Sequence, residues 1–135
     1  METYRSYGSS VGNNFKHVQL TTKCRYKMMR KDYLRTYCRV AIEEACKRHH
    51  IEIVILKVMD DHVHMIVDCP RMMPDTMLIQ ILKGLSSYLL FRMCPALRKR
   101  YPKGHFWHAG YFCCSVGAEF EQVFKYIENQ EKHHA

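Results

Sequence analysis

The segment IEIVILKVMDDHVHMIVDC, residues 51–69, carries the pattern that decides the fold. Residues 51–59 are almost continuously apolar and rich in β-branched side chains, which is typical of a buried strand. Asp60-Asp61 marks a turn, and residues 62–69 form the next strand. The segment therefore predicts a β-hairpin at the centre of the chain, around which the other elements must be arranged.

The flanking segments alternate between strand and helix patterns. Residues 15–23 have strand composition with period two, and residues 32–50 carry apolar side chains at helical spacing. After the hairpin come a second amphipathic helix over 77–93, short strands at 106–107 and 111–116, and a helix over 119–132. The order β-α-β-β-α-β-α predicts an α+β, ferredoxin-like (RRM-like) antiparallel sheet with two helices on one face. The C-terminal helix is an addition to that plan, and must dock on the sheet, on a partner, or on both.

Length, charge and cysteine content narrow the class of protein. The chain has 135 residues, which suits one domain over 14–135 after a flexible lead-in over 1–13. Its net charge of +8 predicts an acidic partner, with nucleic acid favoured over an anionic membrane surface. We expect a cytoplasmic protein, because the sequence has neither a secretory signal pattern nor an apolar run of about 18 residues. Seven cysteines without a C-x-x-C pair predict reduced structural thiols.

The first candidate site is His62-Val63-His64 on the second hairpin strand. Strand alternation places both imidazoles on one face, about 6.6 Å apart along the chain. Such a pair can chelate a divalent metal, and the adjacent Asp61 is suited to orient a ligand. The alternative is a chance H-x-H in a chain with nine histidines.

The second candidate is Tyr126 with Gln130 on the last helix, four residues apart and so neighbours on its surface. A tyrosine hydroxyl can act as a covalent nucleophile when a metal or base assists it, and an amide oxygen can bind a hard cation. The alternative is a tyrosine that packs at the edge of an amphipathic helix. The apolar stripe of that helix comprises Phe120, Val123, Phe124 and Ile127.

A third group consists of basic side chains that fit phosphate contacts, with an ordinary solvated surface as the alternative. This group comprises Lys23, Arg25, Lys27, Arg98, Lys99 and Arg100.

In combination and in order, the motifs resemble single-tyrosine HUH transposases, the TnpA type of bacterial and archaeal insertion sequences (the IS-two-hundred group). The matching blocks are FKH (15–17), TKCR (22–25), DHVHMIV (61–67), LKGLSS (82–87), FW (106–107), GYF (110–112), SVG (115–117) and YIENQ (126–130). The resemblance covers about residues 14 to 130. One departure is Cys24, where relatives usually carry an aromatic residue.

The resemblance implies roles for individual residues. His62, His64 and Gln130 would bind Mg²⁺ or Mn²⁺, and Tyr126 would be the nucleophile. Asp61 and His17 would contact the metal ligands and orient them without binding the metal themselves. Lys83 would be a further DNA-binding residue.

The implied activity is transposition, in which single-stranded DNA with hairpins is cut and rejoined through a 5′-phosphotyrosine intermediate. The implied assembly is a homodimer with the tyrosine helix supplied in trans. The apolar stripe of that helix supports the dimer, since a two-helix core leaves no room to cover it.

Two other classes remain open from the sequence. A ferredoxin-like sheet with basic loops could be a non-catalytic module that binds DNA or RNA hairpins, for which aromatic residues on the exposed face are typical. A metal-dependent nuclease that uses activated water would leave no covalent protein–DNA product.

Overall fold

The computed structural model describes residues 13–130. The lead-in predicted for 1–13 therefore lies outside the described residues, apart from its last position. Three short 3₁₀ turns accompany the main elements, at Lys23–Arg25, Met28–Arg30 and Pro95–Lys99. The strands and helices are β1 (Phe15–Thr21), α1 (Asp32–Arg48), β2 (Glu52–Val58), β3 (His62–Asp68), α2 (Asp75–Met93), β4 (Phe112–Ser115) and α3 (Phe120–Glu128).

The four strands form one antiparallel sheet in the order β2-β3-β1-β4. This order confirms the predicted ferredoxin-like fold, because the first and third strands lie side by side at the centre. In the register of β1 and β3, Gln19 lies opposite His64 and Thr21 lies opposite His62. Side chains directly opposite one another point to the same face, so the register decides which residues share a surface.

Helices α1 and α2 cover one face of the sheet and form the main core with it. Alternate side chains of β1 and β3, such as Val18, Leu20 and Met65, are fully buried there. Helix α1 contributes Leu34, Cys38 and Ile42, and α2 contributes Leu78, Leu82 and Leu90. None of the helices within residues 13–130 is long and apolar enough to cross a membrane.

The seven cysteines differ in their burial. All are free; Cys38, Cys46 and Cys69 are buried, whereas Cys24 and Cys114 are exposed. Burial raises the pKa of Cys38 and of Cys46 to about 12, so both thiols stay protonated at neutral pH.

The strand predicted at 106–107 is wrong. Trp107 forms only an isolated bridge with Thr22. Around this bridge, the backbone N of Lys23 donates to the oxygen of Phe106 and the backbone N of His108 donates to the oxygen of Thr21. Side chains of α2 add two further hydrogen bonds, because the indole Nε1 of Trp107 donates to Ser86 Oγ at 2.8 Å and the backbone N of Phe106 donates to Ser87 Oγ at 3.1 Å. The segment is therefore extended but paired at one position only, which does not make a strand.

Helix α3 lies on the sheet face opposite α1 and α2, where it packs against β2 and β3. Phe120 and Ile127 are buried in a second small cluster with Ile66 of β3. The premise that the core leaves the apolar stripe uncovered is therefore wrong, because the second face of the sheet covers it within the same chain. The helix ends at Glu128, and residues 131–132 of the predicted helix lie outside the described residues.

Candidate active site and nucleic-acid surface

The two histidines of β3 lie together on the face that carries α3. Their ring centroids are 4.8 Å apart and nearly perpendicular. Nδ1 of His62 lies 2.7 Å from Oδ1 of Asp61, whose carboxylate accepts a hydrogen bond when that nitrogen carries the proton. The lone pair then lies on Nε2, the nitrogen that would bind a metal. Asp61 is thus placed to orient His62, as the resemblance implies.

Tyr126 of α3 lies over His64. The two ring centroids are 5.9 Å apart in an edge-on arrangement, and Tyr126 is 53% exposed. His64 itself is only 3% exposed, although the sequence places the histidine pair on an open face. The difference arises because α3 covers that part of the sheet. One chain therefore brings the predicted nucleophile and both predicted imidazole ligands together.

Gln130 lies one helical turn after Tyr126 and is 4% exposed. Its Nε2 is 3.5 Å from the backbone oxygen of Tyr126, a long contact within the same segment. Its role as a metal ligand stays a prediction.

His17 of β1 lies beside His64 on the same face. Their rings are stacked with centroids 6.0 Å apart, and Phe112 of β4 packs edge-on against the other side of His17 at 5.0 Å. Among residues 13–130, Nε2 of His17 is buried without a hydrogen-bond partner. Burial lowers the pKa of His17, which favours its neutral form at neutral pH. This places His17 next to the predicted ligands, in the position expected for a supporting residue.

The residues fit a divalent metal if an amide completes the site. Within the described part of the chain, no cluster of three or more His, Cys, Asp or Glu side chains is arranged to hold a metal ion. The histidine pair supplies two nitrogens, so a third ligand must be of another type, which the amide oxygen of Gln130 can provide. Two imidazoles with oxygen donors suit Mn²⁺, and the oxygen donors suit Mg²⁺.

Three residues on this face were not predicted. The register places Lys57 and Gln19 on either side of His64, and Phe112 beyond Gln19. The period-two pattern of β1 puts Gln19 on the same face as His17. The neighbours of a strand depend on sheet order and register, which one strand's sequence does not contain.

A basic cleft of about 870 Å³ lies between α2 and the segment 104–109. Phe91 forms part of its aromatic wall, and the guanidinium of Arg98 lies 5.0 Å from the ring centroid of Phe91. Its cationic side chains are Lys23, Lys83, Arg92 and Arg98.

A smaller groove beside the cleft is lined by Arg100, whose guanidinium stacks on Tyr26 at 4.6 Å. Three of the predicted DNA-binding residues, Lys23, Arg98 and Arg100, thus line one continuous basic region.

The other predicted DNA-binding residues differ in their surroundings. The side chain of Arg25 is 77% exposed and lies 3.6 Å from Asp61, and Lys99 is exposed. The ammonium of Lys83 instead donates to three backbone oxygens, those of His108, Ala109 and Gly110, at 2.7 to 3.2 Å. Lys83 therefore holds the loop before β4, and its predicted phosphate contact stays a prediction. Burial lowers its pKa.

Two solved structures share this fold. A protein of Deinococcus radiodurans assigned as a transposase has a TM-score of 0.73 and 25% identity, over 90% of this chain and 93% of that one. A REP-associated tyrosine transposase bound to a REP hairpin has a TM-score of 0.67 and 15% identity, over 93% and 70% of the two chains. The fold is that of tyrosine transposases.

Sequence comparison gives the family. The family described as IS200-like transposases matches residues 10–130, and this chain belongs to it. The transposase of insertion sequence IS200 from Salmonella typhimurium is 28% identical over 89 residues, which are 66% of this chain and 59% of that protein. The ISDra2 transposase TnpA of Deinococcus radiodurans is 27% identical over 90 residues, 66% and 64% of the two chains. The matches thus span about three fifths of the length of these relatives.

Proposed function

We propose that this protein is a DNA transposase that cuts and rejoins single-stranded DNA at insertion-sequence ends through a covalent bond to Tyr126. The observation that carries the proposal is the contact of Tyr126 with His64, at 5.9 Å between ring centroids. Membership in the IS200-like transposase family supports it.

The phenolic oxygen of Tyr126 attacks the phosphorus of the scissile phosphodiester and loses its proton. The bond from phosphorus to the 3′ oxygen breaks, and that oxygen takes up a proton to become a free 3′-OH. The product is a 5′-phosphotyrosine ester, which retains the energy of the broken bond. A 3′-OH of another strand can then reverse the step and rejoin DNA without ATP.

His62, His64 and Gln130 would hold Mg²⁺ or Mn²⁺, with Asp61 keeping His62 in the tautomer that binds. When bound, the ion supplies Lewis-acid polarisation of a phosphate oxygen. His17 packs behind His64 and restricts the orientation of its ring. The 53% exposure of Tyr126 leaves the hydroxyl accessible to a strand that approaches over the sheet.

The basic cleft is the proposed site for a DNA hairpin. Lys23 and Arg98 in the cleft, with Arg100 beside it, can contact backbone phosphates, which position DNA without reading its sequence. The REP-associated relative is bound to a REP hairpin, which supports a hairpin ligand here. The net charge of +8 favours the same class of partner.

The proposed assembly is a homodimer in which α3 is exchanged between subunits. Only Phe120 and Ile127 of α3 are buried, and the link between β4 and α3 spans just residues 116–119. The same contacts with Ile66 can form on the sheet of a second copy, since exchange of an identical element preserves its interface. In the single chain described here, Tyr126 lies beside its own His64, and the exchanged helix would place it beside the His64 of a second copy.

Tyr126→Phe tests the proposed chemistry. A DNA strand from the ends of the element, labelled at its 3′ end, is incubated with protein and Mn²⁺, and covalent adducts are separated in denaturing gels. The wild type should form a labelled adduct, and Tyr126→Phe should form none while still binding hairpins. Tyr33→Phe is the matched control, because Tyr33 is similarly exposed (51%) but lies on α1.

Cleavage that persists in Tyr126→Phe would identify a nuclease that uses activated water. Hairpin binding by the wild type without any cleavage would identify a non-catalytic binding module.

A further inference from the structure

Helix α3 covers only part of the sheet face that carries the histidine pair. It packs against β2 and β3, and its Phe120 reaches Phe15 at the start of β1. On the other side lies the edge strand β4, of which Phe112, Cys114 and Ser115 are exposed. The route to the histidine pair therefore leads over β4 and β1.

Phe112 lies on this open side and in the same row as His64. Gln19 of β1 is opposite His64 on one side and opposite Phe112 on the other. Neighbouring strands are about 4.8 Å apart, so Phe112 lies about 10 Å from His64 across the sheet. Its ring contacts His17 in a T-shaped arrangement, yet the side chain is 46% exposed.

Phe112 and the preceding Tyr111 are exposed, at 46% and 49%, unlike the other aromatic residues of this segment. Phe106 and Trp107 are 1% and 5% exposed and belong to the core. The same segment lines the basic cleft at 104–109 and continues through Tyr111 to Phe112. The ammonium of Lys83 lies 5.4 Å from the ring centroid of Tyr111, so the cationic lining of the cleft extends to the residue before Phe112 in sequence.

We propose that Phe112 is a base-stacking subsite that holds an unpaired nucleobase of the DNA strand beside the scissile phosphate. The inference rests on the proposed function and adds a substrate contact to it. Single-stranded DNA is bound by a positively charged groove combined with exposed aromatic rings, because every base offers a π-face. Phe112 supplies such a ring in the same row of the sheet as His64, beside the histidine pair where the strand would be cut.

The occupant follows from shape. A protein or lipid partner would need a wide apolar patch, whereas Phe112 is a single ring beside His17 and Gln19. A flat, exposed aromatic ring is complementary in shape to one unpaired base, which offers it a π-face. A base stacked on Phe112 would hold the strand extended across β1, towards His64.

The test uses the Tyr126→Phe background, in which the strand is bound but cannot be cut. The probes are an oligothymidylate with one 2-aminopurine, and cleavable strands in which 2-aminopurine is moved base by base along the sequence. Phe112→Leu keeps an apolar side chain without the π-face, and Phe112→Trp keeps the π-face. Tyr33→Leu removes an equally exposed aromatic residue on α1 as the control.

Stacking should quench 2-aminopurine in the Phe112 and Phe112→Trp proteins and not in Phe112→Leu. The strand affinity of Phe112→Leu should fall roughly 5- to 100-fold, the range of one lost base stack. Binding of a hairpin without a single-stranded extension should stay unchanged, and the quenched position should adjoin the cleaved bond. A circular dichroism melt of each variant verifies its fold.

Equal quenching and equal affinity in Phe112→Leu overturn the inference, as does quenching only at positions remote from the cleaved bond. A Phe112-dependent signal on oligothymidylate, together with no adduct from the wild type, overturns the proposed function instead. The two failures are therefore distinguishable.

Discussion

His64 is the side chain on which the contacts of the site converge. The rings of His62, His17 and Tyr126 lie 4.8, 6.0 and 5.9 Å from it, from three directions. Because it is 3% exposed, its orientation is set by packing as well as by the strand. A ligand held in this way loses little conformational freedom when a metal binds.

At the residue scale, we predict that His64→Gln loses metal binding while the fold is kept. Replacement removes one of two imidazole donors, and glutamine keeps a similar volume under α3. Isothermal calorimetry with Mn²⁺ should show affinity reduced by more than about 10-fold, which is at least the effect of losing an outer-sphere partner.

His49→Gln, at an exposed position after α1, is the matched control and should bind Mn²⁺ like the wild type. Unchanged Mn²⁺ affinity in His64→Gln would contradict metal binding by the histidine pair and leave it a structural role only.

Among the elements, helix α3 has two tasks, because it packs on the second face of the sheet and carries Tyr126. Ile127 is fully buried against Ile66, next in sequence to the exposed Tyr126. Docking of the helix and placement of the nucleophile thus depend on the same two neighbouring residues.

We predict that Ile127→Ala loosens α3 and with it the adduct reaction. Truncation of a buried isoleucine lowers the free energy of unfolding by about 2–5 kcal/mol. This loss is large because α3 has only nine residues and a small interface with the sheet. Limited proteolysis should cut the variant at α3 before the rest of the chain, and adduct formation should fall by more than about 10-fold. Gln122→Ala, at an exposed position of the same helix, should match the wild type. Equal protease resistance in the two variants would contradict this placement of α3.

The elements show how far the sequence predicts this molecule. Alternation along residues 62–68 is intrinsic to a strand, so it placed both histidines on one face correctly. The apolar stripe of α3 correctly predicted which side of the helix is buried. It did not predict that the sheet covers this side, because the contact residue in β3 is the single side chain Ile66 among polar neighbours of that strand on that face. Likewise, the sequence predicts Lys83 only as a basic surface residue. Its three carbonyl partners lie in a loop 25 to 27 residues away, so the local pattern does not predict them.

At the scale of the whole molecule, the position of α3 determines how many chains make one site. In the described chain, Tyr126 lies beside its own His64. An exchanged helix would make the same contacts on a partner, so complementation between subunits separates the two arrangements.

We predict that a mixture of Tyr126→Phe and His64→Gln subunits regains activity, although each is inactive alone. With α3 exchanged, one site of each heterodimer combines an intact histidine pair with an intact tyrosine. The adduct assay should recover a fraction of the wild-type signal, and mixed dimers should be verified by two different affinity tags. No adduct despite proven exchange of subunits would establish the cis arrangement, and a monomer in solution would exclude the dimer.

The pairing of β1 with β3 has a consequence for the cell as well as for the site. His17 and Gln19 meet Ile66 and His64 only in the observed register, and a slip of one residue would turn one strand's whole set of side chains to the opposite face. Under the proposed function, a nascent or misfolded copy therefore lacks the assembled centre at which DNA would be cut. The capacity to break DNA would then be acquired only together with the native state.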